Sequence, residues 1–241
     1  MGSLIAAPRN HSIDRDFGWP RSGGAATAIV LERFNWKKGN GMPNPIEFYF
    51  DFSSPYGYFA SAKIAELATR HGRSVIWRPI LLGAVFKITG QQPLPTIPLK
   101  GSYAKHDLAR SARLFGVPFK LPSKFPIAGQ APSRAFYWVG DKDPGLASRL
   151  AQALFHAYFA EDRDISSPEI TANVAAKLGI ERDQLLQALN DPAVKERLRI
   201  EVDAAIERGV FGSPFIIVDK EPFWGSDRLE QVDKWLASGG W

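Results

Sequence analysis

A chain of 241 residues with 45% hydrophobic content is long enough to bury a sizeable core, in one domain or in one domain carrying a large insertion. It contains no cysteine, which excludes disulfides, thiolate metal ligands and a Cys nucleophile, so any sulfur chemistry must use a borrowed thiol. The formal net charge of +5 is uneven, with +3 in residues 1–41 and +2 in the other 200, which gives the folded part little of the footprint expected of a nucleic-acid binder.

No apolar run approaches the roughly 20 residues that span a bilayer. Leu4 to Ala7 is far shorter than a signal peptide's apolar core. His11, His71, His106 and His156 show no HxH or HExxH spacing, so no metal site is expected. These observations predict a soluble, cytoplasmic protein with neither nucleic-acid nor membrane partners.

Residues 1–41 are rich in Gly, Arg, Asn and Ser and have no sustained hydrophobic period, which predicts a disordered N-terminal extension. Ile46 to Phe52 reads as a first strand. Pro55 to His71 reads as a helix with Tyr58, Phe59, Ala62 and Leu67 on one face, and Ser74 to Ile80 as a second strand. Together they form a βαβ unit with a right-handed crossover. Leu81 to Leu99, with Pro93, Pro95 and Pro98, reads as loop. Gly101 to Phe115 is helical, Gly116 to Ala131 is loop, and Pro132 to Arg208 is nearly all helix, restarting at Ser167-Pro168 and Asp191-Pro192. Phe215 to Asp219 is a short strand, Glu221 to Trp224 its hairpin partner, and Ser226 to Leu236 a final helix. A βαβ half and a ββα half enclosing helices make an α/β, thioredoxin-like fold with a large all-helical insertion. The expected division places the thioredoxin-like domain in residues 42–85 and 210–241 and the insertion in 86–209.

That fold brings three stretches together. The first is Ser53-Ser54-Pro55, where a strand gives way to a helix. Ser53 or Ser54 suits an N-cap and Pro55 a first helical residue, and a capped start is the plain reading. In thioredoxin-like folds, however, the reactive sulfur sits at this point, where the helix terminus favours negative charge. A serine there is able to donate a hydrogen bond to a bound thiolate. The second is Gly212-Ser213-Pro214-Phe215, whose proline before a strand fits a cis-proline loop facing an extended peptide ligand. The third is Gly225-Ser226-Asp227, a helix-opening turn that either caps the helix or holds a ligand's carboxylate.

With these stretches in view, FYFDFSSPYGYF, AIERGVFGSPFIIV and FWGSDRLE resemble the 2-hydroxychromene-2-carboxylate isomerase family and its kappa-class glutathione transferase relatives, from about Ile46 to about Leu236. The resemblance implies glutathione as cofactor, with Ser54 as the catalytic residue facing its sulfur and Ser213 and Pro214 against its cysteinyl part. It places Gly225, Ser226 and Asp227 at the glutamyl end, Lys100 at the glycyl carboxylate, and Gln91 and Asp107 nearby. Gln91 stands where Asn is common in the family and Ser213 where Val is common, and Ala131 to Trp138 matches less closely. The implied activity is isomerisation of 2-hydroxychromene-2-carboxylate, a small aromatic substrate, to trans-o-hydroxybenzylidenepyruvate in aromatic degradation, by a homodimer. The alternatives are a kappa-class transferase or peroxidase acting on another electrophile, and a non-catalytic thioredoxin-fold binding protein.

Overall fold

The computed structural model describes residues 43–241, and the expected disordered extension lies outside the described residues. A four-stranded sheet runs in the order β2-β1-β3-β4, built from β1 (Ile46–Phe50), β2 (Val75–Pro79), β3 (Phe215–Val218) and β4 (Glu221–Trp224). β1 pairs in parallel with β2, Phe48 opposite Trp77, and antiparallel with β3, Phe48 opposite Ile216. β3 and β4 form the antiparallel hairpin. This is the βαβ…ββα sheet of a thioredoxin-like fold, with the expected strands one or two residues shorter at some ends.

The helical expectations need three corrections. Pro55 to His71 is two helices, α1 (Pro55–Ser61) and α2 (Ile64–Arg70). The break follows from local competition for carbonyls. Ser61 Oγ donates to the Tyr58 carbonyl at 2.6 Å, and the Lys63 N–H turns back to Ala60 at 3.0 Å, three residues rather than four. The supposed loop after β2 contains α3 (Leu82–Thr89), closed by Gly90 in the left-handed region, and a 3-10 turn at Leu94–Thr96. The final helix opens as a 3-10 turn, Ser226–Arg228, before α10 (Leu229–Ser238).

The other helices are α4 (Lys100–Phe115), α5 (Gln130–Gly140), α6 (Pro144–Phe159), α7 (Pro168–Ala176), α8 (Arg182–Asn190) and α9 (Pro192–Glu207). Pro at the first helical position recurs in α1, α6, α7 and α9, each behind a Ser or Asp cap, as its fixed φ and missing N–H favour. Among the described residues, no helix is long and apolar enough to cross a membrane.

β1 is buried on both faces, and the two faces differ. Ile46, Phe48 and Phe50 enter the main core, where Phe50 and Phe52 lie 5.4 and 5.1 Å from the Phe155 ring of α6 and Tyr58 stacks on Phe159 at 5.3 Å. Each such pair adds about 0.5–1.5 kcal/mol beyond its burial. On the other face Glu47 receives both terminal nitrogens of Arg208, Nε of Arg78 at 3.1 Å and the Tyr49 hydroxyl at 3.0 Å. Arg78 continues to Glu201 at 3.3 Å, which also meets Arg197 at 3.1 Å. An ion cluster thus fastens α9 and its C-cap Arg208 to β1 and the edge strand β2. At the end of β2, the Tyr137 hydroxyl of α5 donates to the Pro79 carbonyl at 2.8 Å.

Candidate functional site

At the C-terminal end of β1 the chain makes one tight turn and starts α1. The Ser54 N–H donates to the Asp51 carbonyl at 2.9 Å, closing the turn. Ser54 is the N-cap, in extended backbone (φ −91°, ψ 113°), and its Oγ accepts the Gly57 N–H at 3.1 Å. The same hydroxyl donates to the Ser213 carbonyl at 2.9 Å. The capping reading is therefore correct, and the cap also reaches across 159 residues of sequence to the proline loop. Ser54 is 6% exposed. Ser53 points elsewhere, its hydroxyl donating to Asp51 at 2.7 Å.

The Ser213–Pro214 peptide bond is cis, as its sequence setting led us to expect. Two small residues let the segments close on one another. A Cβ on Gly57 would stand 2.8 Å from Ser213 Oγ and 3.3 Å from Ser54 Cβ, so only glycine fits beside the proline loop. Gly225 adopts φ 111°, and a Cβ there would strike the Asp227 carboxylate. The Gly225 N–H donates to the Pro214 carbonyl at 3.0 Å, which fixes the Gly225-Ser226-Asp227 turn against the proline loop. Ser54, Ser213-Pro214 and Gly225 to Asp227 are thus brought together.

Asp107, on α4, joins through a residue that sequence reasoning missed. The Tyr56 hydroxyl donates to Asp107 at 3.0 Å, and Arg110 binds the other carboxylate oxygen. Burial pushes the Tyr56 hydroxyl's pKa up, helped by the Asp107 hydrogen bond and charge and by the charges of Tyr103 and Asp227. Tyr56 therefore stays protonated and links Asp107 to the start of α1. Its only sequence signal is its place two residues after Ser54.

Gln91 and Lys100 are not drawn in. Both are exposed, on the segment from α3 to α4, and no hydrogen bond among the described residues joins either to the Ser54 group. Leu99, immediately before Lys100, is 93% exposed and holds φ 65°, a strained value for a leucine.

Sequence reasoning also missed Asp51, the acidic residue that ends the apolar strand run. It is 3% exposed, and its carboxylate accepts the Ser53 N–H at 2.6 Å, the Ser53 hydroxyl and the Leu82 N–H at 2.7 Å. Its own N–H donates to Ser213 Oγ at 2.9 Å. Burial pushes the carboxyl's pKa up, while the hydrogen bonds from Ser53 and Leu82 pull it down; burial dominates.

Residues 45–237 match the DSBA-like thioredoxin domain family. A 2-hydroxychromene-2-carboxylate isomerase of Pseudomonas putida is 33% identical over 191 residues, which are 78% of this chain and 92% of that protein. A glutathione S-transferase kappa 2 of Caenorhabditis elegans is 30% identical over 211 residues, 81% of this chain and 94% of that one. A solved 2-hydroxychromene-2-carboxylate isomerase superimposes with a TM-score of 0.72 at 30% identity, covering 80% of this chain and 94% of the other.

Proposed function

We propose a function from the premise that this chain belongs to the DSBA-like thioredoxin domain family and, within it, to the 2-hydroxychromene-2-carboxylate isomerases and their kappa-class glutathione transferase relatives. The reading is a cytoplasmic, glutathione-dependent isomerase that converts 2-hydroxychromene-2-carboxylate to trans-o-hydroxybenzylidenepyruvate in aromatic degradation. One observation carries it: the Ser54 hydroxyl lies 2.9 Å from the carbonyl of the residue preceding the cis-proline. A hydroxyl donor and the backbone of an extended-ligand cradle meet there.

The donor set suits a thiol tripeptide. Ser213 offers backbone to an extended chain, and Ser226 and Asp227 face its glutamyl end, while Asp107 is held to the start of α1 through Tyr56. Lys100, free of the core, reaches the glycyl carboxylate, with Gln91 beside it. When bound, glutathione would supply a sulfur nucleophile toward the substrate's conjugated double bond, chemistry that needs no net oxidation. Ser54 has one proton to give. In the structure it goes to the Ser213 carbonyl. That carbonyl has a second lone pair for a ligand N–H, and the Ser54 hydroxyl, rotated toward a bound sulfur instead, would stabilise its thiolate. The remaining residues orient the tripeptide and keep its sulfur at the strand end.

Calorimetric titration with glutathione followed by an absorbance assay on the chromene tests the reading. Absence of binding or of turnover would refute it. The kappa-class relative favours a second reading, transfer to another electrophile, which conjugate formation with chlorodinitrobenzene would reveal.

Lys100→Ala is expected to weaken glutathione binding about tenfold to a hundredfold, the equivalent of a charge-assisted hydrogen bond of roughly 1.5–3 kcal/mol. The melting temperature should not move, because the side chain is exposed. An unchanged dissociation constant would make Lys100 an ordinary surface charge. The proposal includes a homodimer, supported by exposed Leu99, Tyr103 and Leu114 on and beside α4. Sedimentation at micromolar concentration should give twice the chain mass, and a monomer would contradict it.

A further inference from the structure

Asp51 is bonded to three of the segments that meet at the strand end: the Ser53-Ser54 turn, the proline loop and the start of α3. Its carboxylate fixes both the N–H and the hydroxyl of Ser53. Its carbonyl accepts the Ser54 N–H, and its own N–H donates to Ser213 Oγ. Its second carboxylate oxygen holds the first N–H of α3, the helix leading to Gln91 and Lys100. No ligand-facing role is available to so enclosed a group, and among the described residues no Lys or Arg pairs with it.

We infer that Asp51 is a positioning residue: its buried carboxylate sets the 51–54 turn so that the Ser54 hydroxyl stands between the Gly57 N–H and the Ser213 carbonyl. The reasoning follows the covalent chain. Two bonds to Ser53 fix the residue before Ser54 on both its backbone and its side chain. The Asp51 carbonyl then fixes the Ser54 N–H. What remains for the Ser54 hydroxyl is the single place the structure shows. The bond from the Asp51 N–H to Ser213 Oγ keeps the acceptor side in register with the donor side. Holding a charge where burial opposes it is costly, and proteins retain such groups where placement of a reactive centre depends on them. Ser213 has a part here beyond its backbone, since its hydroxyl is the bridge from the proline loop to Asp51.

The inference concerning the thiol rests on the glutathione reading, so the experiment has one arm without glutathione. In Asp51→Asn the side chain presents one oxygen and one NH2 group to three donors, which leaves at least one of them unpaired. In the ligand-free protein, amide exchange at Gly57 should quicken about tenfold, because its acceptor, Ser54 Oγ, loses its fixed place. With glutathione, the bound thiol's pKa should rise by about one unit in Asp51→Asn. The same substitution placed on Ser54→Ala should add nothing, since the hydroxyl being positioned is gone. Ser53→Ala removes only one of the three donors and should move Gly57 exchange in the same direction by about twofold, which keeps the test open if Asp51→Asn fails to fold. Unchanged Gly57 exchange in these variants, or an equal pKa rise with and without Ser54, would overturn the inference. If the wild type binds no glutathione while Gly57 exchange responds as stated, the functional reading falls and the positioning role of Asp51 stands.

Discussion

Ser54→Ala is expected to lower turnover near neutral pH by about tenfold to a hundredfold, the value of one hydrogen bond to a charged group. The substitution removes the hydroxyl that caps α1 and donates to Ser213, and leaves Pro55, Gly57 and the cis-proline loop in place. Folding should survive with a loss of about 1 kcal/mol for the cap. Glutathione should still bind, because its carboxylate ends are held elsewhere in the proposed arrangement. The bound thiol's pKa should rise, so the lost rate should return in part as the pH is raised. Ser53→Ala should affect turnover much less, its hydroxyl being engaged by Asp51 rather than aimed at Ser213. The measurements are ultraviolet thiolate absorbance and isomerase rate, each against pH. Identical profiles for Ser54→Ala and wild type would reduce Ser54 to a cap.

The second large effect is on stability. Glu47→Gln should destabilise the fold by about 3 kcal/mol, the lower end of what removing one partner from a buried ion pair costs. Three donors converge on this carboxylate: Arg208, Arg78 and the Tyr49 hydroxyl. Arg78 keeps Glu201, and the Arg208 side chain is 42% exposed and partly screened by water, which is why a larger figure is not expected. A loss of this size corresponds to a fall in melting temperature of roughly 6–12 °C for a chain of this length. Burial raises the pKa of Glu47, but the hydrogen bond and charge of Arg208, the charge of Arg78 and the Tyr49 hydroxyl outweigh it and hold the carboxyl below its usual 4.5. A depressed folded pKa gives stability that is present above the unfolded value and lost as the pH falls through the folded one. The gap between wild type and Glu47→Gln should therefore be full at neutral pH and close in acid. Urea unfolding at both conditions measures it, and a gap independent of pH would show that the charge of Glu47 contributes nothing.

The strands were legible because β1 and β2 are dense runs of aromatic and β-branched residues bounded by turn signals, and the hairpin Glu221–Trp224 follows its partner directly. Helix starts were legible at Ser54-Pro55, Ser167-Pro168 and Asp191-Pro192, where Ser or Asp precedes Pro, while Asp143-Pro144, with the same signature, was submerged in a stretch that reads as nearly continuous helix. α3 was hidden by the prolines at 93, 95 and 98, which lie beyond its end and made the whole segment read as loop. The break between α1 and α2 was hidden because Ser61 is compatible with a helix until its hydroxyl takes the Tyr58 carbonyl. At the site, Ser54, Ser213-Pro214 and Gly225 to Asp227 each carry a local signature of a turn or a cap. Asp51 and Tyr56 carry none. Their importance comes from Leu82, Ser213 and Asp107, which are distant in sequence and meet them only in the folded chain.

The pairing of β1 with β3 also bears on how the chain is made. Phe48 lies opposite Ile216, so the central strand waits for about 165 further residues to leave the ribosome, some ten seconds or more at about 5–20 residues per second. Until then β1 and β2 present an unpaired, aromatic edge, the feature most prone to pairing with a neighbouring chain. Such long-range pairing is slow even in the complete polypeptide. Yield during synthesis should thus depend on chaperone supply more than the melting temperature of the finished protein would indicate, and a chain stopped before Phe215 should collect in aggregates.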